Sequence, residues 1–327
     1  MEYRTAVPAD EPALQALWAA AFDAPQVPEL WGRDAGRHRR TFVAAEDGRV
    51  VSVVHYLPRP IRSAAGTVDR VGCVGSVATL PEARGRGHVR HLLAAAVRTM
   101  AEDGCGWSLL FTGTPRVYET SGWSVFPLPA WTGPLAVPAQ AVPAQAGPTQ
   151  ADSPPAALGV RPARPGDLPA LRALRAAYDR DRPLTTVRSE EDWRYRIPAW
   201  YAAPAETLVA TGPAEEPAGF AVSRPGADAQ EVEVVEIALA ADAPDRTATL
   251  RALLGAVAAR SAARGRTRAV ARLPHTPEVV AALPALLADP HPLTVRTGMA
   301  RPIHTTPAAL RATLTAPGAA HWYGDSF

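Results

Sequence analysis

The sequence predicts an α/β (α+β) protein made of two tandem copies of one fold, and three observations carry that prediction. A strand, a glycine-bearing turn and a helix follow one another between Val71 and Gly104. The opening of the chain repeats residue for residue near its middle, and a proline-rich, low-complexity stretch separates the two copies.

The strand comes first. Val71 to Leu80, VGCVGSVATL, is rich in β-branched and small residues and holds no charge, the composition of a strand buried on both faces. Pro81 ends it. Val89, Leu92, Leu93, Ala96, Val97 and Met100 then recur at the spacing of an amphipathic helix, with Arg90, His91, Arg98 and Glu102 left for the other face, until Gly104 stops it. Between them lies Arg84-Gly85-Arg86-Gly87-His88-Val89. The first N–H groups of a helix have no intrahelical partner and sit at the positive end of its dipole, so such a turn is suited to an anion. Glycines let the backbone approach a ligand closely, and Arg84, Arg86 and Arg90 can add charge-assisted contacts. A pyrophosphate fits this description, as does a plain surface turn with solvated arginines.

The repeat comes next. Arg4, Pro8, Asp10, Pro12 and Leu14 align with Arg161, Pro165, Asp167, Pro169 and Leu171, so both halves begin the same fold. Asp10 is expected to cap the first helix. In the first half, strands over 41–45 and 50–58 are joined by the Asp47-Gly48 turn; residues 22–40 show no periodicity. In the second half, strands over 207–211, 219–224 and 232–239 precede a helix over 247–264 and a strand near 268–273. The order matches, but the turn ahead of that helix, Asp242-Ala243-Pro244-Asp245-Arg246, has two carboxylates and no glycine. Carboxylates satisfy the dipole themselves and repel phosphate, so this copy is expected to bind no phosphate. The expected division is 1–135, a Pro/Ala-rich linker over 136–157, a second domain over 158–303 and a tail over 304–327.

Composition excludes several functions. A net charge of +2 implies no nucleic-acid partner. The start of the sequence has no basic segment followed by an apolar one and no run of about 18 apolar residues occurs, which reads as a cytoplasmic protein without membrane contact. All 34 basic residues are arginine, which rules out a P-loop lysine and a Schiff-base lysine. Cys73 and Cys105 form no metal pattern and read as buried thiols.

Pro81-Glu82-x-Arg84-Gly85-Arg86-Gly87 followed by a helix resembles the acetyl-CoA motif of the GNAT superfamily of N-acetyltransferases, with Val89 in place of the usual small residue. The string Ser76 to Val89, together with Tyr118-Glu119-Thr120-Ser121-Gly122-Trp123, is most similar to the Eis branch, whose members acetylate aminoglycosides and lysines. The resemblance implies two tandem GNAT-like domains, each a mixed, mainly antiparallel sheet flanked by helices, the second one degenerate. It implies that acetyl-CoA is held by Arg84, Gly85, Arg86, Gly87, His88 and Val89 and by the backbone of Val77 and Thr79. It also implies that residues 22–40 lie over the acceptor pocket, and that the sterol-carrier-like third domain of the Eis family is missing after Ile303.

For catalysis the resemblance gives Tyr118 as the acid for the leaving thiolate and the carboxylate of Phe327 as the base; the sequence itself offers Glu119, His55 and His91 as lesser bases, of which His91 reads as a solvated helix residue and His55 as a packed strand residue. The expected reaction is direct acetyl transfer from acetyl-CoA, without a metal, to a primary amine of a small molecule or peptide; homo-oligomer formation is left open. Two alternatives stand beside it, a catalytically inactive acyl-CoA-binding regulatory protein and a dinucleotide-binding oxidoreductase. The second lacks the third glycine and the acidic residue of its fingerprint.

Overall fold

The computed structural model describes residues 1–22, 24–136, 158–212 and 215–327; nearly all of the expected linker, residues 137–157, lies outside them. In chain order the first half has β1 (Glu2–Thr5), α1 (Glu11–Ala21), α2 (Gln26–Gly32), β2 (Thr41–Glu46), β3 (Arg49–Arg62), β4 (Val68–Thr79), α3 (His88–Glu102), β5 (Trp107–Phe111), α4 (Arg116–Glu119) and β6 (Ser124–Pro134). The second has β7 (Gly159–Pro162), α5 (Leu168–Tyr178), α6 (Ile197–Tyr201), β8 (Glu206–Thr211), β9 (Pro217–Pro225), β10 (Glu231–Leu239), α7 (Arg246–Ala262), β11 (Arg268–Ala271), α8 (Pro277–Ala282), β12 (His291–Pro302) and α9 (Pro307–Leu314).

The sequence signals act locally as expected. Asp47 and Gly48 adopt positive φ and close the β2–β3 hairpin. Gly104, also at positive φ, follows the end of α3. The paired openings are built alike: Arg4 makes two hydrogen bonds to Asp10 at 2.6 and 2.9 Å, and Arg161 makes two to Asp167 at 2.7 and 2.9 Å. Asp10 differs from its expected role. Its carboxylate does not cap α1 but accepts from the Val7 backbone N–H, as Asp167 accepts from Arg164 N–H, so each aspartate ties its strand to the turn before the helix.

All twelve strands form one sheet in the order β1-β2-β3-β4-β5-β12-β6-β11-β10-β9-β8-β7. Each half contributes five strands on its own side and lends its sixth to the other. β12 pairs antiparallel with β5, β6 pairs antiparallel with β11, and the two exchanged strands pair with each other at the centre. A hydrophobic run predicts a strand but not its partner, and this exchange has no local sequence signature. It makes the seam between the halves continuous. Ile61, Val71, Cys73, Trp107, Phe126, Ala300 and Leu310, drawn from both halves, share one buried cluster there. Cys73 and Cys105 are both buried and unpaired with each other.

Candidate active site

The site begins where β4 and β5 part. They pair in parallel over Val71–Cys73 and Trp107–Leu109, and no further. Beyond that point β4 carries an extra residue against β3: His55 faces Gly75 and Val53 faces Ala78, with Ser76 at φ 54° inside the bulge. The Ser76 carbonyl is turned out of the ladder and accepts from Trp18 Nε1 at 2.8 Å. The strands therefore open as a V. Its walls, Val74 to Val77 on β4 and Phe111 to Thr114 at and beyond the end of β5, line a cavity of about 690 Å³.

Past the V, β4 reaches the turn that the sequence marks as an anion site. Gly85 and Gly87 both adopt left-handed backbone, at φ 75° and 79°, and Gly87 leads into α3. A Cβ built on either would meet no atom within 4 Å, so the space above both is open. The α3 N-terminus has no side-chain cap and no acidic residue in its first turn, which leaves its positive end free to face an anion. Arg84 and Arg86 are exposed and held from below, Arg84 by the Thr79 carbonyl at 3.3 Å and Arg86 by the Glu82 carbonyl at 2.9 Å. The His88 side chain is buried and its Nδ1 lies 2.9 Å from the Tyr3 hydroxyl, so His88 offers the turn its main chain only. Val89 is half-buried against the α3 core cluster.

Tyr118 and Phe327, far apart in sequence, both line the cavity, together with Val77. Tyr118 sits on α4 packed into the α3 cluster, and its phenol makes no hydrogen bond to the described residues. Burial pushes its pKa up to about 12, so the hydroxyl is protonated at neutral pH. An α-carboxylate oxygen of Phe327 lies so close to β4 that a Cβ on Gly75 would come within 2.5 Å of it. Thr79 is outside the cavity, its hydroxyl 2.8 Å from that of Ser52. The lesser bases do not reach it either. Glu119 and His91 are exposed elsewhere, and His55 is buried beside Thr41, where burial lowers its pKa to about 4.

The tail that carries Phe327 is held by buried charges of the second half. Arg188 donates to Asp325 at 2.7 Å and lies 2.9 Å from Glu236; Gly324 N–H donates to Glu236 at 3.0 Å. Arg196 donates to the Ser326 carbonyl at 2.9 Å, and Trp322 Nε1 to Asp179 at 3.1 Å. Burial opposes ionisation of Asp325, and Arg188 more than offsets it, so its carboxyl titrates below the usual range. Removing one partner of such a network costs about 3–5 kcal/mol, because it leaves a buried charge uncompensated.

Sequence reasoning missed four contributors. His321 stacks on Phe111 at 4.6 Å, and burial lowers its pKa to about 4, so it is neutral. Arg224, Arg272 and Tyr323 reach the cavity from the second half. The unusual His321-to-Phe327 ending was a signal for two of these; nothing local marks the arginines. Phe22, Ala24 and Val27, from the aperiodic stretch, form part of the cavity wall.

Residues 2–126 match the family model of the acetyltransferase (GNAT) domain. The first half of the chain accordingly resembles the GNAT acetyltransferase domain, whose members use acetyl-CoA or another acyl-CoA for acyl transfer. The whole chain is similar in fold to three solved structures. A probable N-acyltransferase from Enterococcus faecalis is 13% identical, with 93% of this chain and 73% of that one covered and a TM-score of 0.62. A GCN5-related N-acetyltransferase from Kribbella flavida is 17% identical, with 93% and 71% covered and a TM-score of 0.63. Eis1 from Mycobacterium abscessus is 16% identical, with 93% and 74% covered and a TM-score of 0.59. No curated protein matches the sequence. Among the described residues no helix is long and apolar enough to cross a membrane, and no cluster of three metal-binding side chains occurs.

Proposed function

We propose that the protein is an acetyl-CoA-dependent N-acetyltransferase that transfers acetyl directly, in a ternary complex, to a primary amine of a small molecule or peptide in the cytoplasm. The observation that carries this reading is the single cavity that joins the open β4–β5 V to Tyr118 and Phe327. Acetyl-CoA, when bound, supplies an activated acetyl thioester. The residues that hold its pyrophosphate are Arg84, Gly85, Arg86, Gly87, His88 and Val89, through the open α3 N-terminus and the exposed guanidiniums. Main-chain groups of Val77 and Thr79 orient the pantetheine arm. The α-carboxylate of Phe327 accepts the proton of the incoming ammonium, and Tyr118 Oη holds the proton that the leaving sulfur requires. The elevated pKa of Tyr118 keeps that proton in place at neutral pH. His321 and Phe111 keep water from the reacting end by stacking across it.

The second half, in this reading, is a degenerate copy that binds no acyl-CoA and supplies one wall of the acceptor site. Asp245 accepts from Ala248 N–H at 2.8 Å and caps α7, which supports it. Thiol release from acetyl-CoA, followed over aminoglycosides, polyamines, lysine peptides and amino-acid analogues, tests the function. Release with at least one amine is the expected result; acetyl-CoA binding without release over the whole panel would favour a non-catalytic acyl-CoA-binding protein.

A further inference from the structure

The far wall of the cavity narrows the chemistry of the acceptor. That wall comes from the second half, where the sheet opens as it does in the first. β10 and β11 pair over Glu231–Val234 and Arg268–Ala271 and then part, with a register shift in β10 between Val234 and Glu236. Val235, Arg272, Leu273 and Pro274, at and beyond the parting, line the cavity, joined by Arg224 from β9. Beneath the two arginines lies Glu233, whose side chain is only 4% exposed. Arg224 Nε donates to one of its oxygens at 2.9 Å and Arg272 Nε to the other at 2.9 Å.

Two guanidiniums against one carboxylate leave a positive charge unmatched. Neither arginine is sunk: their side chains are 37% and 38% exposed, and Nη1 of each makes no hydrogen bond to the described residues. The buried carboxylate holds both forks in place from behind, so little rotamer freedom remains to be lost when an anion arrives. Among the described residues, no Asp or Glu side chain lines the cavity, and the rest of this end is apolar, with Leu128, Val295 and Leu273. At this end of the cavity a polycation such as an aminoglycoside or a polyamine would meet the two arginines with no Asp or Glu side chain among the described lining residues to offset them.

We propose that Arg224 and Arg272 form an anion subsite, and that the acceptor is an amine carrying a carboxylate on a compact apolar body. This rests on the cavity being the acceptor site. The carboxylate docks on the second half while the amine is presented to the first half's V.

Para-(aminomethyl)benzoate and para-methylbenzylamine are near-isosteres that differ in the carboxylate, and they make the test. Both are titrated calorimetrically into the full chain in the presence of CoA, and thiol release from acetyl-CoA is followed with the same pair. The carboxylated amine is expected to bind at least tenfold more tightly. Arg272→Gln should remove most of that preference by weakening para-(aminomethyl)benzoate while para-methylbenzylamine binds no more weakly, and Arg272→Lys should retain part of it. Glu233→Gln, which strips the counter-charge, should widen the preference, and this variant keeps the test independent of any folding defect in Arg272→Gln. Equal affinities in the unsubstituted protein, no measurable binding of either compound, or a preference that survives Arg224→Gln with Arg272→Gln would overturn the subsite. Carboxylate preference without thiol release would uphold the subsite and sink the transferase reading; release with both amines used equally would do the reverse.

Discussion

The helices α3 and α7 occupy the same place in the two copies, after the fourth strand of each, yet they begin in opposite ways. At α3 a left-handed glycine leads in, no side chain caps the first turn and the space above is open. At α7 an aspartate accepts from the third residue's N–H and closes the end. The frameworks around them agree down to the Arg4–Asp10 and Arg161–Asp167 pairs. A second difference lies one element further on. A Thr-Pro stands at the start of both α4 and α8, and the position of the buried Tyr118, three residues after the proline, is taken in the second by Val280, 45% exposed. The two copies thus share what holds the sheet and helices together and differ at the atoms that, in the proposed function, hold phosphate and move a proton.

The sharpest way to break this comparison is to close the open end. Gly87→Glu places a side chain and a negative charge where the turn is now empty, and forces a non-glycine residue into left-handed backbone at φ 79°. Acetyl-CoA affinity, measured by calorimetry, should fall by more than about a thousandfold, about 4 kcal/mol. Asp245→Arg in the second copy should leave it within about twofold. A tenfold loss from Asp245→Arg, about 1.4 kcal/mol, would mean that the nucleotide site is not confined to the first half.

The phenol is the next discriminator. Tyr118→Phe should lower kcat by about a hundredfold, the low end for loss of a general acid, with acetyl-CoA affinity unchanged. The sign with pH follows from the raised pKa. The acid is useful while protonated, so its contribution is present below about pH 12 and lost above. No activity loss due to Tyr118 should occur between neutral pH and pH 10. An alkaline limb below pH 10 that disappears in Tyr118→Phe would contradict that.

Much of the framework of this candidate site was legible in the sequence. Strand, turn and helix between Val71 and Glu102 follow local rules: an uncharged run, two glycines at positive φ and an amphipathic apolar stripe. The repeat was legible because the Arg–Asp pairs that tie each opening together fall within six residues. What escaped is non-local. The exchange of β6 and β12 is decided by which edge each strand meets, and both edges are antiparallel and apolar. Arg224, Glu233 and Arg272 form a cluster only once β9, β10 and β11 are side by side, and each alone reads as a solvated charge. The role of Asp10 was misread for a related reason. Its partner, Arg4, lies behind it in sequence, where a cap would look forward.

A smaller effect is expected where the copies meet. Only glycine fits at Gly75, because the tail of the second half presses its Phe327 α-carboxylate there. Gly75→Ala must push the tail away by a few tenths of an ångström or more. It should lower kcat/KM by about tenfold, equivalent to about 1.4 kcal/mol, while acetyl-CoA still binds. Deleting Ser326 and Phe327 should have a similar or greater effect. If the tail were only packing, both changes would reduce the melting temperature and spare turnover at low temperature.

The smallest expected effect isolates the α7 cap. Asp245→Ala removes the acceptor for Ala248 N–H and the negative charge at the helix N-terminus, and it leaves both halves of the cavity untouched. The loss should be about 1 kcal/mol of stability, read by denaturant unfolding. Acetyl-CoA should still titrate with a stoichiometry of one. Uncapping alone does not rebuild the first copy's turn, because Asp242 remains and no glycine stands where Gly85 and Gly87 adopt left-handed backbone. A second binding event in Asp245→Ala would show that the cap, and not the missing glycines, is what keeps phosphate out of this half. The difference between the two copies would then be one side chain deep.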